Sequence, residues 1–180
     1  LVKSDMTLDV INPATEEVFT QVPRADEAML DQAVAGAKVA AAKWALTDID
    51  ERKALIHKIA DAINANIEPL AKALTQEQGK PLAAATMEVQ YAEIFCRYFT
   101  SLNLENEVLV DDENQRVEVQ RTPLGVVAGI LPWNFPLLIG IYKIAPSILA
   151  GNSIILKPAP TTPVVSVMLG EILKDVVPAG

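Results

Sequence analysis

Among the 180 residues there is one cysteine, Cys96, and one histidine, His57, so nucleophilic and acid–base chemistry has few candidates. Cys96 lies among Ile94, Phe95, Tyr98 and Phe99 in a helical stretch, where a buried, inert thiol is expected. His57, between Ile56 and Lys58 on a polar-flanked helix, is expected at the solvated surface. No cluster of side chains has metal-ligand spacing. Gly125 and Gly129 are followed by no P-loop lysine, so close strand packing explains them better than a phosphate loop. What remains is a pair of polar bends set in apolar sequence. They are Pro132-Trp133-Asn134-Phe135-Pro136, carrying a side-chain amide, and Lys157-Pro158-Ala159-Pro160, carrying an ammonium.

The flanking sequence dictates how these bends are held. Gly125 to Leu131 reads as a continuous apolar strand and Leu137 to Leu149 as a helix stopped by Gly151-Asn152. Ser153 to Lys157 reads as a second apolar strand, and Pro163 to about Lys174 as a second helix. Strand, helix, strand, helix is the βαβ pattern, which builds a parallel sheet expected to be buried on both faces. Each bend follows the carboxyl end of its strand. Both therefore fall on one sheet edge, where open α/β folds bind ligands.

The first half reads as mostly helical. A short strand around Leu8 to Ile11 ends in an Asn12-Pro13 turn. Asp26 caps a segment to about Trp44, with Leu30, Val34, Ala37, Ala41 and Trp44 along one face. Asp48 and Glu51 form a capping-box-like start for a helix burying Leu55, Ile56, Ile59 and Ile63. Pro69 suits the first turn of the next helix and Gly79 its left-handed stop. A further helix spans about Leu82 to Leu102, with Met87, Tyr91, Phe95 and Phe99 at roughly helical spacing. From Glu107 to Arg121 the pattern alternates with period two around a polar turn at Asp111 to Asn114, predicting a hairpin. Alone it is marginal and exposes edges, so another part of the molecule or another subunit should cover it.

Composition narrows the partners. Hydrophobic residues make up 51% of the chain, enough for a sizeable core. A formal charge of −8, from 15 basic and 23 acidic side chains, repels phosphate backbones and anionic lipid. Neither nucleic acid nor a membrane surface is expected as a partner. The uncharged run from Thr122 to Tyr142 is long enough to suggest a membrane span, but Pro132 and Pro136 interrupt it. A lone cysteine suits a reducing cytoplasm, and no basic stretch with a following apolar run opens the chain as an export signal.

The Pro-Trp-Asn-Phe-Pro bend, Tyr142-Lys143-Ile144-Ala145-Pro146, the Ala150-Gly151-Asn152 turn and Lys157-Pro158 resemble the aldehyde dehydrogenase superfamily in order and spacing. Asn12-Pro13-Ala14-Thr15 and Arg121-Thr122-Pro123-Leu124-Gly125-Val126 resemble it too. In that family a cysteine thiolate attacks an aldehyde, an oxyanion forms, hydride passes to the nicotinamide and water releases the acid. The resemblance implies that Asn134 is the oxyanion donor. An amide suits this as a neutral, fixed donor, and losing one costs on the order of 100- to 1000-fold in rate. Read without the family, Asn134 equally well caps the helix beginning near Leu137.

The same resemblance places Ile130, Leu131, Pro132 and Trp133 along the strand end where NAD or NADP lies, although each also reads as core. Lys143 matches a lysine behind the catalytic centre that holds geometry; alternatively it is a surface lysine, though its flanks Ile141, Ile144 and Ile148 are apolar. Lys157 matches a lysine that hydrogen-bonds the adenosine ribose hydroxyls. Many NAD-using members carry Lys-Pro-X-Glu, whose carboxylate repels a 2′-phosphate; Pro160 stands at that place here. The choice between NAD and NADP therefore stays open.

The expected fold is α/β, a parallel-sheet Rossmann-like half with an amino-terminal helical segment and a β-hairpin oligomerisation extension. Residues 1–106 and 122–180 would belong to the NAD(P)-binding domain, incomplete at its C-terminus, and 107–121 to an oligomerisation domain joining a homo-oligomer. The nucleophile and general-base motifs are absent from the sequence, so the expectation is an amino-terminal, by itself inactive part of an aldehyde-oxidising enzyme. Two alternatives stand beside it: a non-catalytic nucleotide-binding or oligomerising module, and an acylating or semialdehyde reductase relative.

Overall fold

The computed structural model describes Ser4 and residues 6–180. Strands β1 (Thr7–Asn12) and β2 (Glu17–Pro23) form an antiparallel hairpin. Its turn is set by Asn12, whose Oδ1 accepts from Ala14 N at 2.9 Å. The second strand was not legible from periodicity. Its alternation, Glu17-Val18-Phe19-Thr20-Gln21-Val22, is blurred because Val18 faces solvent while only Val22 is fully buried.

Four helices follow. Helix α1 (Glu27–Trp44) opens where the Asp26 carboxylate accepts from Met29 N at 2.8 Å, as expected of a cap. Its inward face begins at Ala37 rather than Leu30, which is exposed. Helix α2 (Ile49–Asn64) is capped by Asp48 accepting from Asp50 N at 2.8 Å, with no reciprocal bond from Glu51. Helix α3 (Ile67–Gln78) ends at a left-handed Gly79, and α4 (Leu82–Thr100) follows at once.

On α4 the buried face is Ala85, Glu88, Val89, Ala92 and Cys96, not the larger residues at 87 and 91. Small residues let α4 lie close to α2 and α3, and Met87, Tyr91, Ile94 and Tyr98 are left outward. The core joins Ile56, Ile59 and Ile63 of α2, Leu70 and Leu74 of α3, and this α4 face.

Strands β3 (Glu107–Asp111) and β4 (Arg116–Val119) pair as an antiparallel hairpin with a register shift between Val108 and Val110. Asp112 Oδ1 fixes the turn by accepting from Asn114 N and Gln115 N at 2.8 and 3.0 Å. Val108, Leu109, Val117 and Val119 are exposed.

The βαβα unit comprises β5 (Val126–Ile130), α5 (Pro136–Leu149), β6 (Ser153–Lys157) and α6 (Val164–Leu173). The run from Thr122 to Tyr142 is thus a strand, a bend and the start of a helix. No helix among the described residues is long and apolar enough to cross a membrane. Leu137, Ile141, Ile144 and Leu149 of α5 and Val165, Leu169 and Leu173 of α6 join the core of the earlier helices. Burial on both sheet faces is not observed. Strand side chains alternate between faces; Gly129 is buried, whereas its neighbours Ala128 and Ile130 are exposed. Helices α1 and α5 contact both strands, while α6 packs with α2, α3 and α5; among the described residues, Ala128 and Ile130 of β5 stay exposed.

Candidate active site

The parallel pairing of β5 with β6 runs in register from Val126 opposite Ser153 to Ile130 opposite Lys157. At the amino ends, buried Asn152 accepts from Gly125 N through Oδ1 at 2.9 Å, and Ser153 N donates to Gly125 O at the same distance. At the carboxyl ends, Leu131 N donates to Lys157 O at 3.0 Å. The two bends therefore leave one sheet edge side by side, as the strand pattern predicted.

Close contact between layers fixes Gly129. A Cβ there would come within 2.7 Å of Leu156 Cδ2 and 3.1 Å of Lys143 Cδ. Lys143 accordingly lays its aliphatic stem against the strand from α5 and is half-buried, in keeping with its apolar flanks.

Asn134 is exposed and does not cap α5. Pro136 has no N–H, Ile139 N donates to Phe135 O at 3.0 Å, and the remaining first-turn amides are held elsewhere. Leu137 N and Leu138 N both donate to Glu88 Oε1, at 3.0 and 3.2 Å. The other oxygen of that carboxylate forms an ion pair with Lys80. The Lys80 ammonium also donates to Asn134 O at 2.9 Å and stands 4.4 Å from the Phe135 ring centroid. The helix start is satisfied without the Asn134 amide, which corrects the reading of Asn134 as a cap.

The other candidate residues divide between edge and core. Ile130 is 71% and Trp133 61% exposed, so neither is core; Leu131 at 4% is. Pro132 is half-buried, and Lys157 and Pro160 are exposed. Trp133, Asn134 and Lys157 are brought to the common edge. Cys96 lies away from it on the buried face of α4, where burial pushes its thiol up to about 12. His57 is exposed on α2.

Sequence reading missed three residues that build this region: Lys80, Glu88 and Glu77. Glu77, buried at the end of α3, accepts from Val164 N at 2.6 Å and Val165 N at 3.1 Å, holding the start of α6. Burial raises its carboxyl to about 7, against the lowering effect of those two amides; the nearby Glu88 charge adds to the rise. A signal was present. Glu88 falls three residues after Ala85 and four before Ala92, and Glu77 falls seven after Leu70, so both carboxylates lie on buried helix faces.

A two-stranded parallel sheet edge with an exposed asparagine on one bend and an exposed lysine on the other defines an α/β ligand-binding architecture. The aldehyde dehydrogenase family model matches residues 1–180, and the chain belongs to that family. It is 38% identical over 171 residues to a fluoroacetaldehyde dehydrogenase of Streptantibioticus cattleyicolor. Identity to acetaldehyde dehydrogenase 2 of Cupriavidus necator is 39% over 171 residues. Each match covers 93% of this chain and 34% of the relative, so the chain spans about a third of their length. The crystal structure of an aldehyde dehydrogenase from Brucella melitensis biovar abortus superposes with a TM-score of 0.94 at 35% identity, over 99% of this chain and 38% of that one. A 3,6-anhydro-L-galactose dehydrogenase in complex with NAP matches at 0.92 and 32% identity, over 99% of this chain and 39% of that one.

Proposed function

We propose that the protein to which this chain belongs oxidises an aldehyde to a carboxylic acid with NAD or NADP, and that Asn134 donates its side-chain amide to the oxyanion. One observation carries this reading. Asn134 stands exposed at the shared strand edge while a different residue, Glu88, takes the helix amides it would otherwise cap. A fixed neutral donor at that position stabilises developing negative charge where an aldehyde oxygen would sit.

The uncovered Ile130 side chain, exposed Trp133 and the Lys157 ammonium fit a dinucleotide. They offer exposed apolar side chains for a nucleoside and a cationic donor for ribose hydroxyls. When bound, the nicotinamide cofactor supplies the hydride acceptor. Pro132 and the main chain of Leu131 complete the strand end, and Lys143 braces it from α5. Pro160 sets no carboxylate beside the ribose, which is compatible with either cofactor. The thiol nucleophile and general base belong, on this reading, to residues outside the chain, because Cys96 is buried and its thiol is hard to ionise. Taken alone, the chain is inactive. Its parts 1–106 and 122–180 contribute to the cofactor domain of a cytoplasmic enzyme.

In the full-length protein, Asn134→Ala should lower turnover roughly 100-fold or more with cofactor affinity little changed. Near-normal turnover would remove Asn134 from the mechanism. A panel of aldehydes assayed with both cofactors defines the substrate. The exposed apolar residues of the β3–β4 hairpin support a homo-oligomer joined through 107–121. Leu109→Glu with Val117→Glu should lower the sedimenting mass of the full-length protein; an unchanged mass would relieve the hairpin of that role.

A further inference from the structure

We infer that Lys80 and Glu88 are positioning residues for the Asn134 bend, acting as a buried strut from α4 and the turn before it that sets where the oxyanion donor stands. This rests on the oxyanion reading of Asn134. The ion pair is enclosed, the Lys80 side chain 10% exposed and the Glu88 side chain 0%. It grips the bend on both sides of Pro136. Ahead of the proline, Lys80 holds the Asn134 carbonyl and lies over the Phe135 ring. Behind it, Glu88 holds the amides of Leu137 and Leu138.

A pair required only for packing could be met by apolar residues of similar volume, which often serve stability as well or better. Here each charge instead carries hydrogen bonds to main-chain atoms of one short segment. The strut thereby fixes the main chain from which the Asn134 amide projects, while leaving that amide free. Since a displacement of about 1 Å can cost on the order of 100-fold in rate, a main-chain anchor is an effective way to place such a donor.

The test uses the full-length enzyme and a double-mutant cycle between Lys80→Met and Asn134→Ala. Lys80→Met should lower kcat roughly 10- to 100-fold with the KM for cofactor nearly unchanged. Added to Asn134→Ala it should cost less than about 3-fold more, because the group it positions is gone. Should Lys80→Met fold poorly, the neutral pair Lys80→Met with Glu88→Gln removes the buried charges and should still show the low kcat. Losses that multiply across the cycle, or a folded neutral pair with normal turnover, would overturn the positioning role. Near-normal turnover of Asn134→Ala alone would instead overturn the oxyanion reading beneath it.

Discussion

The starts of α5 and α6 solve the same problem with the same device, and they differ in one respect. Each buried helix start has amides without intrahelical partners, and each receives a buried glutamate that accepts two of them, Glu88 for α5 and Glu77 for α6. Both carboxylates gain from the positive end of the helix dipole. Glu88 also has Lys80 as a counter-ion, and through it the helix start is coupled to the Asn134 bend. Glu77 has no cation among its described contacts, and its carboxyl is correspondingly pushed up to about 7 by burial. The comparison teaches that a carboxylate cap suffices to hold a helix, while the added lysine turns a cap into a means of aiming the residue before it.

The sharpest break in the comparison is Glu88→Leu. It leaves the Lys80 ammonium buried and unpaired and two amides without acceptors, so it should destabilise the protein by about 3–5 kcal/mol. Denaturant unfolding would measure this, and a loss below about 1 kcal/mol would show the two helix starts to be no different. Glu77→Ala comes next. It strips two acceptors without stranding a cation and should cost about 2–3 kcal/mol, read as faster hydrogen exchange at Val164 and Val165.

A pH series sharpens the difference. The folded-state value of Glu77, near 7, lies above its ordinary 4.5, so the folded state binds the proton more tightly. Stability contributed at this site is thus greatest below about pH 4.5, falls as pH climbs to about 7, and is level above that. Glu77→Gln, which resembles the protonated form, should flatten that fall; an unchanged slope would assign it to other groups. The smallest effect belongs to Asp26→Ala, which removes an exposed cap with a single bond at α1 and should cost about 1 kcal/mol.

These particulars also mark how far the sequence could be read. Local signals held: Asp26 as a cap, Gly79 as a stop, the Asp112 turn, and two strands whose carboxyl ends share an edge. Each depends on neighbours within a few residues or on the handedness of βαβ connections. The placement of Trp133, Asn134 and Lys157 at one edge was therefore legible. The strut was not, since Glu88 meets its amides 49 and 50 residues further on and Glu77 meets its own 87 and 88 away. The helical spacing of Met87, Tyr91, Phe95 and Phe99 also did not disclose the most buried face of α4, where close approach of α2, α3 and α5 selected Ala85 and Ala92. Likewise, the outer face of β5 reads as apolar core in sequence although nothing among the described residues covers Ile130.

Strands β5 and β6 are each five residues long, and the Asn152 amide fastens them level at their amino ends. Strand length consequently works as a ruler for the far edge. One residue inserted into either strand would carry its bend about 3.3 Å beyond the other and turn every later side chain to the opposite face. Length can therefore change only in both strands at once, whereas composition is restricted where the layers touch, as at Gly129.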